Sequence, residues 1–381
     1  MARTSGRCGR SAVADLAGKR VALVLATSTG GVGRHVRTLA AGLPAHGVRV
    51  RVLGPSATEE LFGFTGAGAE FVAVEIDVRS RPRAVGQALR GVRSGVRDAG
   101  VVHAHGLRAG LLAGVATDRR TPYVVTWHNA VLGGGARRRL VTPLEAAVAR
   151  RAKVTLAVSA DLAERVREVG GRDVRLLPVP APRLPSGVAA AAAVRADLGA
   201  GERPLVLAVG RLHAQKGFDT LVAAAGRWAR RTPPPVVAIA GEGPDRPRLA
   251  ALAAANGSDV RLLGYRADVS GLLAAAEVVV LPSQWEGSPL VAQEALAAGR
   301  PLVATAVGGV PDLVGDGAVL VAPDDPAALA AAVAVLLDNP AAGVALAARG
   351  VARAATWPDE AAATAAVARV YAELLGRRGG R

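Results

Sequence analysis

Short runs of apolar, largely β-branched residues alternate along this chain with longer stretches rich in alanine and leucine. Runs of this kind are typical of parallel strands buried on both faces, and the longer stretches suit crossover helices between them. The pattern predicts six strands in the first half of the chain, at 20–26, 48–53, 70–74, 101–104, 123–126 and 154–158. It predicts six more in the second half, at 205–210, 236–240, 260–263, 278–282, 301–305 and 318–321.

A proline-rich segment separates the two sets of strands. Four prolines lie between Pro178 and Pro185, which excludes a helix there and favours an extended linker. We therefore predict an α/β protein of two Rossmann-like, doubly wound domains, at residues 20–182 and 183–358, that face each other across a cleft. Ligands of such sheets bind at the carboxyl ends of the strands, so the active site is expected in that cleft.

Segments outside these strands complete the organisation. The N-terminal lead-in at 1–19 has arginines but no apolar stretch of signal-peptide length, so we expect disorder rather than a secretory signal. Beyond the last strand, the patterns at 325–338 and 359–375 predict helices. The single cysteine, Cys8, cannot form an internal disulfide, which agrees with a reducing compartment.

Composition and charge narrow the function. Apolar residues make up 51% of the chain, but no run of about 18 of them occurs, so we expect a cytoplasmic protein. The net charge of +16 is concentrated in residues 1–182, with 28 Lys and Arg against 13 Asp and Glu; residues 183–381 hold 19 against 18. This excess favours an anionic partner, unless it only reflects a high-GC genome, which raises the arginine and alanine content together. Aromatic residues, at 3%, offer few stacking platforms for nucleic acid.

A glycine-rich turn, Gly30-Gly31-Val32-Gly33, follows the first predicted strand and precedes a helical pattern at 36–43. Glycines let a ligand approach the backbone, and a helix start favours an anion. The segment lacks the third glycine of G-x-G-x-x-G and an acidic residue about 20 positions on, which disfavours nicotinamide binding. A tight turn without a ligand remains the alternative.

Three histidines lie near the ends of neighbouring strands: His103, His105 and His128. A metal site would need a carboxylate or cysteine at hand, and none is close in sequence, so we expect no metal ion. His103 fits a buried structural role. His128 follows its strand in a polar turn and is a candidate for contact with a substrate.

Two cations lie in the loop after the first strand of the second half. That strand is predicted to end at Gly210, Arg211 and Lys216 follow, and a helix starts near Asp219. A guanidinium, an ammonium and a helix N-terminus together suit a bound diphosphate. A solvated loop with two uninvolved cations is the alternative.

Two carboxylates follow the fourth strand of the second half. Glu286 lies in the loop after Pro282, and Glu294 lies on the early turns of a helix that starts near Pro289. Glu286 and loop N–H groups can hold sugar hydroxyls, and Glu294 can accept hydrogen bonds from ribose hydroxyls. Two glutamates at this spacing are common, so the pattern alone is unspecific.

Together these segments resemble the family-4 glycosyltransferases, also called glycosyltransferase group 1, of the GT-B fold. The resemblance is dense from about residue 205 to 335 and looser before it. It rests on motifs in the family's order and spacing: Gly210-Arg211-Leu212, Gln215-Lys216-Gly217, Gly241-Glu242-Gly243-Pro244, Pro282-Ser283, Glu286-Gly287, Glu294-Ala295 and Gly308-Gly309, with Gly30-Gly31-Val32, Val102-His103-Ala104-His105-Gly106 and Thr126-Trp127-His128 in the first half.

The resemblance implies a retaining enzyme that transfers a hexosyl unit from a UDP- or GDP-linked sugar, with no cofactor and usually no metal ion. It implies that Arg211 and Lys216 stabilise the leaving diphosphate. Glu286 would hold the transferred sugar, and His128 would lie near the sugar and the acceptor. The implied donor contacts come from Gly30, Gly31, Gly210, Arg211, Lys216, Gly287, Ser288, Pro289, Leu290 and, on the ribose, Glu294.

Other implications concern the end of the chain and the donor sugar. The final helix, at 359–375, would cross back onto the first domain. Ser288 stands where many members have a bulky residue, and Gln293 stands where an apolar residue is frequent. These departures leave the identity of the donor sugar open.

The sequence leaves alternatives open for both the acceptor and the class of reaction. An anionic lipid or cell-envelope precursor would suit the basic first half, with peripheral contact to an anionic membrane, and a small polar acceptor fits nearly as well. A sugar-nucleotide epimerase and a nicotinamide-dependent oxidoreductase are the rival enzymes. The E-x7-E arrangement of Glu286 and Glu294 favours transfer over the first, and the missing third glycine disfavours the second.

Overall fold

The computed structural model describes residues 16–76, 82–130 and 135–379. The chain divides into two compact units. Pro180–Trp357 forms the C-terminal unit, and the described residues on either side of that segment form the N-terminal unit. Each unit contains one parallel sheet covered by helices.

The N-terminal unit is built on a sheet of seven strands in the order β3-β2-β1-β4-β5-β6-β7. Every neighbouring pair is parallel, so crossover connections join the strands. The strands are β1 (Arg20–Leu25), β2 (Arg49–Gly54), β3 (Glu70–Ala73), β4 (Val101–His105), β5 (Tyr123–Trp127), β6 (Val154–Ala157) and β7 (Val174–Leu176). The helices are α1 (Gly31–Gly42), α2 (Ser56–Phe62), α3 (Pro82–Val96), α4 (Gly106–Ala116), α5 (Gly135–Arg151) and α6 (Ala160–Glu168).

The C-terminal unit is built on a sheet of six strands in the order β10-β9-β8-β11-β12-β13, again all parallel. The strands are β8 (Leu205–Val209), β9 (Val236–Ala240), β10 (Val260–Gly264), β11 (Val278–Leu281), β12 (Leu302–Thr305) and β13 (Val319–Val321). The helices are α7 (Val188–Asp197), α8 (Phe218–Trp228), α9 (Arg246–Asn256), α10 (Val269–Ala275), α11 (Leu290–Ala297), α12 (Val310–Val314), α13 (Pro326–Asp338) and α14 (Pro340–Ala354).

The last helix, α15 (Glu360–Gly379), returns to the N-terminal unit. Val367 and Tyr371 of this helix are fully buried in the same apolar cluster as Leu23 of β1 and Leu39 of α1. Burial of large side chains from a distant segment gives a sizeable favourable free energy, of about 1.5–3 kcal/mol for each. The apolar face of α15 is therefore part of the core of the N-terminal unit.

Strand order reverses at an equivalent place in both sheets. In the first sheet the chain moves outward from β1 to β3 and then returns to place β4 on the free side of β1. In the second sheet β8 and β11 are the corresponding neighbours. The connections leaving such a pair pass to opposite faces of the sheet, which opens a crevice at the carboxyl ends of the two strands.

All twelve predicted strands are present, with ends that differ from the prediction by no more than one residue. The seventh strand of the first sheet, β7, was not predicted, because it is only three residues long and has an arginine at its centre. Helix α14 was also missed, since two glycines interrupt its alanine-rich sequence. Helix α1 begins at Gly31 rather than at Val36, so the glycine-rich turn forms its first turn.

Domain limits and membrane spans complete the comparison. The sequence predicted boundaries after residues 182 and 358, and the division between the two units falls after Val179 and after Trp357. Cys8 and most of the predicted lead-in lie outside the described residues. In the part of the chain that the structure describes, no single helix has both the length and the apolar composition to cross a membrane. One bent pair, α13 with α14, meets that criterion by length and composition only.

The contact between α15 and β4 yields a stability prediction. The Tyr371 hydroxyl lies 2.6 Å from His103 Nδ1, and both residues are fully buried. Tyr371→Phe leaves a buried imidazole nitrogen without its partner and should lower the free energy of unfolding by about 1–3 kcal/mol. Urea denaturation followed by near-UV circular dichroism measures this change.

The matched control is Tyr265→Phe, the same chemical change at a side chain that is 70% exposed. It should alter the free energy of unfolding by less than about 0.5 kcal/mol. Equal effects of the two substitutions would show that the Tyr371–His103 hydrogen bond does not stabilise the N-terminal unit.

Candidate active site

Two loops at the carboxyl edge of the C-terminal sheet carry most of the predicted donor residues. The loop after β8 holds Gly210, Arg211 and Lys216, and the loop after β11 holds Glu286 and Gly287. Strands β8 and β11 are neighbours where strand order reverses, which is the ligand-binding position of doubly wound sheets. The topology thus brings together residues that lie 70 positions apart in sequence.

Hydrogen bonds join the two loops directly. Gln215 Nε2 donates to the Trp285 carbonyl at 3.0 Å, and the Gln284 N–H donates to the Gln215 carbonyl at 2.8 Å. Gly217 permits this approach: its φ is +60°, and a Cβ there would lie 2.0 Å from the Pro282 carbonyl oxygen. The two loops are therefore held in one arrangement by main-chain and side-chain contacts.

Lys216 and Glu286 form an ion pair between these loops. Lys216 Nζ donates to Glu286 Oε1 at 2.5 Å, and Ser283 Oγ donates to the same oxygen at 2.7 Å. The Lys216 and Glu286 side chains are only 18% and 9% exposed, so solvent screens their attraction less than at an open surface. Thr305 Oγ1 donates to the Ser283 carbonyl at 2.6 Å and so holds the serine that orients the carboxylate.

The sequence did not predict this ion pair; it gave the two residues separate ligands, and those roles stay a prediction. Lys216 was expected on the diphosphate and Glu286 on the sugar. Because opposite charges attract strongly when they are partly shielded from water, the two side chains are each other's partners in the structure. Any ligand of Lys216 therefore binds beside an existing carboxylate.

Arg211 is not part of this ion pair. Its side chain is exposed, and it forms no ion pair or side-chain hydrogen bond with another described residue. The backbone next to it is rigidly supported, since the Gly210 N–H donates to the Ala240 carbonyl at 2.9 Å. A Cβ at Gly241 would lie 1.9 Å from the Gly210 carbonyl oxygen, so close packing of the two turns requires a glycine.

Gly308 and Gly309 support the loop that carries Glu286. The Gly309 N–H donates to the Glu286 carbonyl at 2.8 Å. Gly308 has a φ of +52°, and a Cβ there would lie 2.1 Å from that same carbonyl oxygen and 2.8 Å from Trp285 Nε1. The glycine pair therefore lets the segment after β12 pack against the main chain at Glu286.

Glu294 lies on helix α11, which begins at Leu290 with Pro289 as its N-cap. The residue is 5% exposed. Burial of a carboxylate costs free energy unless polar groups surround it, so a glutamate at this position indicates a polar environment rather than an apolar core. Glu294 follows the Glu286 loop directly and belongs to the same edge of the sheet.

The two residues that depart from the family pattern contact each other. Gln293 Nε2 donates to Ser288 Oγ at 3.1 Å, and the Ala181 N–H donates to Gln293 Oε1 at 2.8 Å. Both ends of the Gln293 amide thus have partners, one in the loop after β11 and one in the proline-rich linker. The departures form a linked pair rather than two independent changes.

The glycine-rich turn of the N-terminal unit begins helix α1. Gly30 is the N-cap, Gly31 is the first helical residue, and a Cβ at Gly30 would meet no atom within 4 Å. A helix N-terminus without acidic residues in its first turn favours an anion. Gly33 instead serves helix packing, because a Cβ there would lie 2.0 Å from the Phe62 ring.

Four histidines come together in the same unit: His35 from α1, His103 and His105 from β4, and His128 after β5. All four are buried. Burial lowers the pKa of His35 to about 4 and, with repulsion from His35, the pKa of His103 to about 3. Burial and repulsion from neighbouring histidines hold the pKa values of His105 and His128 well below their usual range. The four rings are therefore neutral at pH 7.

Two of these histidines have defined partners. His103 lies 2.6 Å from the Tyr371 hydroxyl through Nδ1 and 2.7 Å from Thr126 Oγ1 through Nε2, in agreement with a structural role. His128 Nε2 lies 3.1 Å from His105 Nδ1. A neutral imidazole donates from one nitrogen and accepts at the other, so His128 suits a hydroxyl ligand.

The sequence assigned no role to three residues that shape these sites: His35, Ser283 and Thr305. One signal marks His35, which lies on the buried face of α1 with Val36 and Leu39, where a polar side chain is unusual. Ser283 belongs to the Pro282-Ser283 motif, but neither it nor Thr305 shows its contacts in the sequence, because hydroxyl residues at strand ends are common. Their importance follows only from the neighbours that the fold supplies.

Comparison with known proteins agrees with this architecture. The family described as "Glycosyl transferases group 1" matches residues 203–339, and the "Glycosyl transferase 4-like domain" matches residues 30–182. A protein of Mycobacterium tuberculosis named glycogen synthase is 32% identical over 394 residues, covering 92% of each chain. A D-inositol 3-phosphate glycosyltransferase from Xylanimonas cellulosilytica is 35% identical over 308 residues, covering 73% of each.

The fold is also shared with solved structures. The crystal structure of HepE from Anabaena in complex with UDP and glucose has a TM-score of 0.80, with 19% sequence identity, over 93% of this chain and 100% of that chain. This likeness, together with the two parallel sheets of seven and six strands, confirms the predicted fold. The chain adopts the GT-B fold and belongs to the family-4, or group 1, glycosyltransferases.

Proposed function

We propose that this glycosyltransferase moves a hexosyl unit from a UDP- or GDP-linked sugar to an anionic acceptor, with retention of configuration at the transferred carbon. The observation that carries the donor half is the set of Arg211, Lys216, Glu286 and Glu294 at the carboxyl edge of one sheet. A diphosphate, a sugar and a ribose each have a chemically matched partner there. Similarity to HepE, whose structure contains UDP and glucose, supports the uridine nucleotide.

The two cations act on the charge that grows on the departing diphosphate. The exposed Arg211 guanidinium can contact phosphate oxygens through two parallel N–H groups. The Lys216 ammonium has three N–H donors, so it can keep Glu286 while it donates to a phosphate. Charge stabilised in this way lowers the barrier to transfer, and the proposed reaction needs no metal ion.

Glu286 holds the transferred sugar. Its Oε1 is bound by Lys216 and Ser283, which leaves Oε2 for sugar hydroxyls. A carboxylate that already accepts from an ammonium and a hydroxyl is a weakened nucleophile, so we assign no covalent intermediate of the kind that retaining glycosidases form. The bond from the sugar carbon to the diphosphate breaks as the acceptor oxygen attacks from the same face. The acceptor proton passes to the departing phosphate oxygen.

Charge at the carboxyl edge of the N-terminal sheet supports an anionic acceptor. Helices α1, α4 and α5 follow β1, β4 and β5, and none has an acidic residue in its first turn. Arg34, Arg108 and Arg138 lie within the first four residues of these helices, and all three are exposed. Positive helix ends and guanidinium groups at one edge attract a phosphate or carboxylate. Similarity to a D-inositol 3-phosphate glycosyltransferase supports a phosphorylated acceptor.

Replacement of Lys216 by alanine tests the leaving-group role. We expect kcat to fall by at least about 100-fold, because the diphosphate loses a charge-assisted donor and Glu286 loses its counter-ion. Steady-state turnover with a UDP-hexose measures the loss. Lys153→Ala, at an exposed lysine of the N-terminal unit, is the matched control and should keep the wild-type rate. Similar rates for the two variants would remove Lys216 from the mechanism.

Replacement of Glu294 by alanine tests the ribose contact. UDP should bind about 10- to 100-fold more weakly, since a hydrogen bond to a carboxylate contributes about 1.5–3 kcal/mol. Isothermal titration calorimetry gives the affinity, with Glu168→Ala, whose parent side chain is 62% exposed, as the control.

A thermal-shift panel of UDP, GDP, ADP and NAD tests the class of nucleotide that the wild-type protein binds. Stabilisation by NAD alone would contradict a nucleotide-sugar donor.

Replacement of Arg108 by alanine tests the acceptor half. The reactions contain a UDP-hexose and pairs of acceptors that differ only by a phosphate, such as inositol phosphate and inositol, and products are read by mass spectrometry. Vesicles of anionic or neutral phospholipid form a second arm that separates a lipid acceptor from a small one. Phosphorylated acceptors should react faster, and Arg108→Ala should raise their KM several-fold without changing the KM of the donor.

The control for this prediction is Arg97→Ala. Arg97 is also exposed but lies between α3 and β4, at the amino edge of the same sheet. It should leave the KM of every acceptor unchanged. Equal rates with phosphorylated and unphosphorylated acceptors would show that the basic edge does not select the substrate.

A further inference from the structure

We propose that His35, His105 and His128 form a binding site for a divalent transition metal ion of the zinc class. One ring nitrogen from each of the three lies within 4.8 Å of those from the other two. The residues come from α1, from the end of β4 and from the turn after β5, so no single segment of the sequence contains the site. All three belong to the N-terminal unit.

The spacing of the three rings matches that of imidazoles around one ion. The ring centroids are 5.5 Å apart for His35 and His105, 5.3 Å for His35 and His128, and 5.4 Å for His105 and His128. With metal–nitrogen bonds of about 2.0–2.1 Å, a tetrahedral ion separates the centroids of its imidazole ligands by about 5 Å. The rings thus form a nearly equilateral triangle of the required size, and rotation about the broad χ2 torsion of histidine adjusts the nitrogens.

Two buried nitrogens of this trio have no partner. His35 Nδ1 and His105 Nε2 form no hydrogen bond with any described residue, although the residues are only 5% and 3% exposed. A buried polar atom without a partner costs about 1–3 kcal/mol, so a ligand that engages these two nitrogens would recover free energy. The trio therefore offers neutral nitrogen lone pairs at a place where the protein itself does not use them all.

His103 is excluded from the site, although the sequence groups it with His105 and His128. Both of its ring nitrogens are engaged, by Tyr371 and Thr126. The sequence prediction of no metal considered His103 with the other two and found no carboxylate nearby. In the structure His35 takes the place of His103, and three histidines can hold zinc when water supplies the fourth ligand.

A metal ion held here would inhibit sugar transfer if His128 lies near the sugar and the acceptor, as the family resemblance implies. An ion on the His128 ring occupies the nitrogen that a substrate hydroxyl would use. This consequence rests on the proposed function, whereas the binding of the ion does not. Transfer without metal and inhibition by metal are compatible, since the proposed function assigns the diphosphate to Arg211 and Lys216, which are not ligands of this ion.

The test is a titration of the protein, prepared without a histidine tag, with CoCl2 while visible absorption is recorded. Co2+ gains strong absorption bands when it moves from six-coordinate water into a four-coordinate nitrogen site. We expect saturable binding of one ion per chain, displaced by ZnCl2. His35→Gln and His128→Gln should each weaken binding by more than about 10-fold. His46→Ala, at a half-buried histidine of the same unit outside the trio, should leave binding unchanged.

Several outcomes decide the proposal. Missing absorption bands in the wild-type protein, or equal Co2+ affinity in the wild type and in both glutamine variants, would overturn it. Circular dichroism shows whether each variant is folded. If a variant does not fold, the cobalt absorption spectrum of the wild-type protein still tests the site, since missing bands would exclude it.

Turnover provides a separate readout. Zn2+ should lower the wild-type rate, a chelator should restore it, and His35→Gln should lose this sensitivity relative to its own metal-free rate. Binding of Co2+ without any transfer from UDP- or GDP-hexoses would refute the proposed function and leave the metal site standing. Sugar transfer that Zn2+ does not affect, in a protein that does not bind Co2+, would refute the metal site and leave the proposed function standing.

Discussion

The ion pair between Lys216 and Glu286 is the interaction on which the proposed donor site depends. It joins the loops that follow two neighbouring strands, and its carboxylate is held in place by Ser283. The backbone around it is packed so closely that Gly217 and Gly308 have no room for a side chain. A charge pair in a partly desolvated site is strong only if its geometry is fixed, and these contacts supply that geometry.

The two units have the same kind of sheet but differ in the polar groups near its carboxyl edge. The loops of the proposed donor site carry full charges: Lys216 is paired with Glu286, and Arg211 is exposed to solvent. The N-terminal unit instead gathers neutral polar groups, because burial keeps its four histidines unprotonated. The exposed charges of that unit include Arg34, Arg108 and Arg138, near the starts of helices.

Packing explains why the final helix matters to a site it does not line. Tyr371 of α15 is buried against the sheet and engages His103, which lies on the same strand as His105, the neighbour of His128. His103 is thereby committed to a structural contact, and the remaining histidines face one another. The C-terminal end of the chain thus helps to decide which imidazoles are available for chemistry.

Much of this protein is determined by local sequence. Strand positions could be predicted because runs of buried β-branched residues are a local signal, and only the short, arginine-containing β7 escaped. The donor motifs could also be recognised, since each is contiguous and follows a strand end. The sequence could not show that Lys216 pairs with Glu286, or that His35 rather than His103 joins His105 and His128. Those contacts were decided by the tertiary structure alone, because they require the reversal of strand order and the docking of helices that set distant strand ends side by side.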